Sequence, residues 1–276
     1  MNVLFTSDLD RTLIFSTRTK LQHVAYEGIE QLDGRTISYM SQATYALLME
    51  LHKILDFVPV TTRSLQQYER LSLFQGALQP KLAIVANGGI ILREGIVDEV
   101  WQERVTRQMA ELPLLHEQLP EQFINYFTAP FVVEVHEMDK LFYVLKVDTN
   151  QLENQALAMF QRQLECYDWT CNLQGKKLYV YPQFLTKGHA VNYIKQQSLY
   201  DWHVAAGDAA LDLPMLVLAD TCFIPQHGEL ANDALLHGLP IMPHESSDFS
   251  EHVLRQILTT IENKIEKGEH NDKSII

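Results

Sequence analysis

The chain has 276 residues, enough for one large domain or two modest ones, and 46% of them are apolar. A sizeable core can therefore form, which argues against global disorder. The formal net charge of -13 suits neither non-specific nucleic-acid binding nor an anionic membrane surface, while an anionic small substrate stays open because a metal ion and local donors can reverse the potential in one pocket. In chain order, residues 2 to 7 read as a buried strand ending in the polar stretch "SDLD". Ser41 caps a helix running to about Ile54, with Leu47, Leu48, Leu51 and Leu55 at helical spacing. "FVPVTT" (57 to 62) reads as a second strand, Ser64 caps a further helix, and "KLAIVANGG" (81 to 89) gives a third strand ending in a Gly-containing turn. Strands alternating with helices predict βαβ units and a parallel sheet.

The pattern changes after about residue 90. "GIILREGIVDEVW" predicts a hairpin turning near Glu94 and Gly95, followed by a helical stretch at 102 to 119 broken by Pro113. Two strands, 131 to 137 and 141 to 148, are so tightly linked that they predict an antiparallel pair. A helix at 150 to 164 and strands at 166 to 173 and 176 to 181 complete an α-β-β-α-β-β order. The βα alternation then resumes: a helix opening at Lys187, a strand at 202 to 208, a helix through Leu218, a strand at 221 to 225, and helices at 229 to 237 and 249 to 265. The predicted organisation is a discontinuous core (1–88 and 182–266) interrupted by a small α+β domain (89–181), with 267–276 as a flexible tail.

Cys166, Cys171 and Cys222 form no CxxC pair, so neither a disulfide framework nor a zinc site is expected. The N-terminus lacks the basic region and apolar stretch of a signal peptide, no run approaches the roughly 18 apolar residues of a membrane span, and a cytoplasmic location is the expectation. Nucleic acid and membrane are not expected partners, and oligomeric state is left open.

Four polar clusters fall where parallel strands end: Asp8 and Asp10, Thr61 to Ser64, Asn87 to Gly89, and Gly207 to Asp212. Ligands bind at such ends in open α/β sheets. Two carboxylates so close repel unless a cation intervenes, and an oxygen-loving divalent ion, Mg2+, answers this with carboxylates, waters and substrate phosphate. Any one Asp at a strand end is ordinarily a turn former or cap. Two acidic clusters with a Thr and a Lys, each at its own element end, point instead to phosphoryl transfer. One carboxylate would be the nucleophile, another the general acid and base, and the metal and ammonium would neutralise developing charge.

The residues resemble the haloacid dehalogenase (HAD) superfamily of aspartate-nucleophile phosphohydrolases. "DLDRTL" (8 to 13), "VPVTTRS" (58 to 64), Lys187 in "LTKGHAV" and "AAGDAALDLPML" (205 to 216) match its four motifs in order. The resemblance implies a Rossmann-like parallel-sheet core with an inserted αββαββ cap of type C2. That is the branch of Cof-type, sucrose-phosphate and mannosyl-3-phosphoglycerate phosphatases, which act on phosphorylated sugars and related metabolites. It implies Asp8 as nucleophile and metal ligand, Asp10 as general acid and base with its carbonyl on the metal, Thr61 on the phosphate and Lys187 stabilising charge. Asp208 would bind Mg2+ and Asp212 would complete the metal cluster. Thr62, Arg63, Asn87 and Gly88 are expected at the substrate, a small phosphorylated metabolite. Three residues depart from the common pattern: Arg11 and Thr62 stand where Gly is frequent, and Leu211 stands where Asn is. The competing readings are a phosphomutase or phosphotransferase on the same scaffold, an inactive binding protein of this fold, and a receiver domain. The inserted segment and the GDxxxD cluster speak against the last.

Overall fold

A computed structural model of the chain describes residues 1–234 and 238–272. Strand β1 (Val3–Ser7) is fully buried, as its apolar run requires. The chain then forms a hairpin, β2 (Tyr26–Leu32) and β3 (Arg35–Ser41), which the sequence reading did not include. Its turn residues Asp33 and Gly34 adopt φ of 49° and 71°, the left-handed pair that an Asp-Gly turn supplies. Ser41 caps α1 (Gln42–Leu51) by accepting the Thr44 N–H, satisfying one of the orphan donors of the first turn. After β4 (Asp56–Pro59), Ser64 and Gln67 form a capping box on α2 (Leu65–Glu69).

Strand β5 (Leu82–Val85) is followed by β6 (Ile90–Arg93) and β7 (Ile96–Val97), turning at Glu94 and Gly95 as expected. The expected long helix is α3 (Glu99–Ala110), with two short helices, α4 (Leu119–Gln122) and α5 (Ile124–Phe127), beyond Pro113. Next come β8 (Val132–Met138), β9 (Phe142–Val147), α6 (Asn154–Glu165), β10 (Trp169–Gln174) and β11 (Lys177–Pro182). The chain closes with α7 (Lys187–Lys195), β12 (Trp202–Ala206), α8 (Leu213–Leu216), β13 (Thr221–Pro225), α9 (Ala231–Ala234), β14 (Ile241–Met242) and α10 (Ser246–Asp272). The rest of the helix expected to 237, and residues 273–276 of the expected tail, lie outside the described residues; residues 267–272 continue α10.

The main sheet is parallel, in the order β14-β13-β12-β1-β4. A parallel bridge between Val60 and Ile84 brings β5 alongside. A separate antiparallel sheet has the order β10-β11-β9-β8. The Asp139–Lys140 turn between β8 and β9 has both residues at positive φ, the tight link the sequence predicts. Apolar side chains form two clusters. The larger takes β1, β4, β12 and their helices, and also Ile90 to Leu92, Trp101 and Val105. The smaller starts at Leu112 and packs α6 and the short helices against Leu145, Val147, Leu178 and Val180. The fold is therefore mixed α/β with an inserted α+β unit, as expected. Among the described residues, no helix is long and apolar enough to cross a membrane.

Candidate active site

Parallel register builds the site. Ser7 pairs with Ala206 and with Pro59, so Asp8, Gly207 and Val60 leave the same edge of the sheet side by side. The Asp8 N–H donates to the Ala206 carbonyl (2.9 Å). The chain turns sharply after it: the Leu9 carbonyl accepts the N–H groups of Thr12, Leu13 and Ile14. Thr12 Oγ1 swings back to Asp8 Oδ2 at 3.3 Å.

Asp212 fixes the facing loop. Its Oδ2 accepts the N–H groups of Asp208 and Ala209, both at 2.9 Å. Gly207 is required there, because an added Cβ would stand 2.5 Å from the Asp212 Cβ. Lys187, first residue of α7, is placed by the Thr186 cap, whose hydroxyl accepts the His189 N–H. Its Nζ donates to Asp8 Oδ1 and to Asp212 Oδ1, each at 2.5 Å, and its side chain is 1% exposed. Such burial would favour the neutral amine; the carboxylates of Asp212 and Asp8 outweigh it and hold the ammonium above its ordinary range. Burial pushes the Asp8 carboxyl up, Lys187 partly offsets this, and the result is about 7. Burial, with the charges of Asp8 and Asp212, also lifts Asp208 well above its usual value.

Oxygens of Asp8, Asp208 and Asp212 lie within 4.8 Å of one another. Both carboxylate oxygens of Asp208 are buried without a hydrogen-bond partner. A carboxylate buried in that way is costly unless a cation or donor completes it. The donor set, oxygen only, fits a hard divalent ion such as Mg2+. Asp212 differs from Asp208 in having its oxygens already engaged, by the turn after β12 and by Lys187.

Asp10 points elsewhere. Its side chain is 53% exposed and pairs with Arg63, Nε to Oδ2 at 2.7 Å and Nη2 to Oδ1 at 2.8 Å. The protein around Asp10 raises its carboxyl, and the guanidinium outweighs that, leaving it below the ordinary range. Arg63 also donates to Glu30 Oε2 at 2.8 Å, and Arg70 reaches Glu30 Oε1 at 3.0 Å. Glu30, nearly buried, takes a further bond from the Ser38 hydroxyl. Burial raises the Glu30 carboxyl, and Arg63, Ser38 and Arg70 together bring it below its ordinary value. Sequence reasoning missed Glu30, Ser38 and Arg70; the Asp33-Gly34 turn is the signal that would have located the hairpin.

These residues line one cleft of about 550 Å³ between the parallel sheet edge and the antiparallel sheet. Its floor holds Asp8, Lys187 and Asp212, its flank Thr62, Arg63 and Arg70, and its far wall His136, Val144, Tyr179 and Lys177. Thr61, expected at the phosphate, is buried beside this floor and accepts the Arg63 N–H on its hydroxyl at 3.1 Å. Asn87 and Gly88, expected at the substrate, are not there. Asn87 is buried and donates to the Leu185 carbonyl at 2.8 Å, and Gly88 accepts Trp101 Nε1 at 3.0 Å. Their turn fastens the chain entering α7 and so supports Lys187 from behind.

No family model matches the chain, and no curated protein matches it. Solved structures do resemble it. A sucrose-phosphatase from a Synechocystis species, in complex with sucrose and phosphate, superposes with a TM-score of 0.67 at 15% identity, covering 92% of this chain and 96% of that one. A haloacid dehalogenase-like hydrolase from Bacteroides thetaiotaomicron gives 0.59 at 13% identity, covering 93% and 100%. A trehalose-6-phosphate phosphatase related protein gives 0.54 at 12% identity, covering 96% and 100%. At such identities the likeness is one of fold, and the chain shares the fold of haloacid dehalogenase-like hydrolases over nearly its full length.

Proposed function

We propose that the chain is a Mg2+-dependent phosphatase that hydrolyses a small phosphorylated metabolite, a sugar phosphate, through an aspartyl-phosphate. The observation that carries this reading is Asp8 on a cleft floor, bonded to a buried Lys187 and facing the unpartnered oxygens of Asp208. The sucrose and phosphate bound by a fold neighbour support the substrate class. Asp8 and Asp208 would hold the ion, with the main chain of Asp10 beside them. When bound, it would neutralise negative charge on the phosphoryl group.

Asp8 Oδ2, restrained only by the 3.3 Å bond from Thr12, is the freer oxygen for attack on phosphorus. The new O–P bond forms as the bond to the leaving oxygen breaks, and Lys187 offsets charge on the transferred group. Asp10 delivers a proton to the leaving alcohol and then takes one from the water that cleaves the aspartyl-phosphate. Arg63 favours the ionised form of Asp10, so this pair sets the pH at which Asp10 carries its proton. The segment 89–181 acts as the cap over a core of 1–88 and 182–266, and its wall of the cleft selects the substrate.

The test is phosphate release from a panel of sugar phosphates with Mg2+. Activity should stop with EDTA and vanish in Asp8→Asn. Full turnover by that variant, or no turnover of any ester by the wild type, would sink the reading; an isomeric sugar phosphate without free phosphate would indicate a mutase.

A further inference from the structure

Arg11 is not a free surface arginine. Its backbone lies at φ 66°, a region costly for a side chain other than glycine, so the surroundings must hold it there. They do: its N–H donates to the Ile14 carbonyl at 2.8 Å, and its carbonyl accepts His227 Nε2 at 2.8 Å. The guanidinium Nη2 donates to the His227 carbonyl at 2.6 Å. This arrangement aims Nε at Asp208 Oδ2, 3.2 Å away, and leaves Nη1 3.9 Å from Glu229. The side chain is 37% exposed and the Asp208 side chain 1%. The contact is ionic only, since Nε and both Asp208 oxygens lack a hydrogen-bond partner.

We propose that Arg11 is a resident counter-ion of Asp208, which a divalent cation must displace, so that this chain binds metal more weakly than its carboxylates alone would allow. The inference rests on the metal site proposed above. A guanidinium at this distance attracts the carboxylate and repels an incoming dication. A partly exposed guanidinium a few ångströms from a buried carboxylate interacts with it by enough to change an equilibrium about tenfold. The missing hydrogen bond makes the contact one that can be broken.

The test is calorimetric titration of Mg2+ into EDTA-treated full-length protein: wild type, Arg11→Met, Arg11→Gly and Asp208→Asn. Met removes the charge while keeping a side chain on the strained left-handed backbone; Gly removes the charge and the strain together. Dissociation constants about tenfold tighter in both Arg11 variants, with binding lost in Asp208→Asn, are expected. Equal or weaker binding by Arg11→Met overturns the proposal, as does tightening confined to Arg11→Gly, which would trace the effect to the backbone. Tighter binding in neither Arg11 variant with Asp208→Asn still silent leaves the metal site standing without this role for Arg11. Wild-type affinity in Asp208→Asn would overturn the site itself and the proposal with it.

Discussion

Asp8 and Asp10 are two residues apart, yet they belong to opposite kinds of environment. Asp8 shares a nearly buried pocket with Lys187, Asp208 and Asp212, where Lys187 pairs with two of the three carboxylates and Arg11 stands beside the third. Asp10 reaches a half-exposed position and is neutralised by Arg63, which Glu30 holds in turn. Burial pushes the first carboxyl up and the guanidinium brings the second down. In the first region charge is in excess and awaits a cation. In the second, two arginines and two carboxylates balance, and the balance depends on a hairpin remote in sequence.

The comparison makes Lys187 the residue whose loss should cost most. Lys187→Met would leave the buried carboxylates of Asp8 and Asp212 without their shared ammonium, next to that of Asp208. Turnover should fall roughly 100- to 1000-fold, the range for removing one group that stabilises developing charge. Stability should drop by about 3–5 kcal/mol if the carboxylates stay ionised, and by less as they take up protons. Steady-state phosphate release and urea unfolding would check both. A variant with wild-type turnover would break the view of the first pocket as the reacting centre.

Glu30→Gln should act more gently. It touches Arg63, Arg70 and Ser38 but not Asp8. Unfolding should be easier by about 1–3 kcal/mol, as for a buried partner left unsatisfied, and kcat should fall by about one order of magnitude or less. A fall as deep as that of Lys187→Met would mean that the network does more than position Asp10. Arg63→Met sharpens the point through pH. Without the guanidinium the Asp10 carboxyl rises toward its ordinary range, so the alkaline limb of kcat/KM should move to higher pH. An unmoved limb would separate Asp10 from the proton transfer.

The two regions were unequally legible in the sequence. Asp8, Lys187, Asp208 and Asp212 each sit at the end of a strand or the start of a helix, and parallel register then gathers them; local pattern was enough. Glu30 and Ser38 lie on β2 and β3, whose strands alternate poorly: β2 carries Glu27, Glu30 and Gln31, and its pairing is shifted around Glu30. Tertiary ion pairs, not a hydrophobic face, place Glu30, and no periodicity announces them. Asn87 and Gly88 failed for the opposite reason. Their turn looks like a site because it lies at a strand end, but the groups it engages are the backbone before α7 and the indole of Trp101. The swap of Gly for Arg at position 11 was visible, whereas its contact with Asp208 needed the turn after β1 and the loop after β12 together.

The mildest test uses stability alone, in metal-free protein with EDTA, and sets the two regions against each other. Asp8 has a folded value of about 7 against an ordinary 3.8. The folded state therefore binds that proton more tightly, so the stabilisation is complete below about pH 4 and is lost as pH rises toward 7. Glu30 is lowered from 4.5, so its contribution is present above that value and is lost as pH falls through the lower folded one. Asp8→Asn should flatten the decline in stability between pH 4 and 7, and Glu30→Gln should flatten the loss on the acid side of about 4.5. Urea midpoints across pH 3 to 8 would register both slopes. If Asp8→Asn altered only the acid side, Asp8 would be an ordinary ionised carboxylate, and the distinction between a pocket with excess negative charge and a balanced network would fail at its first member.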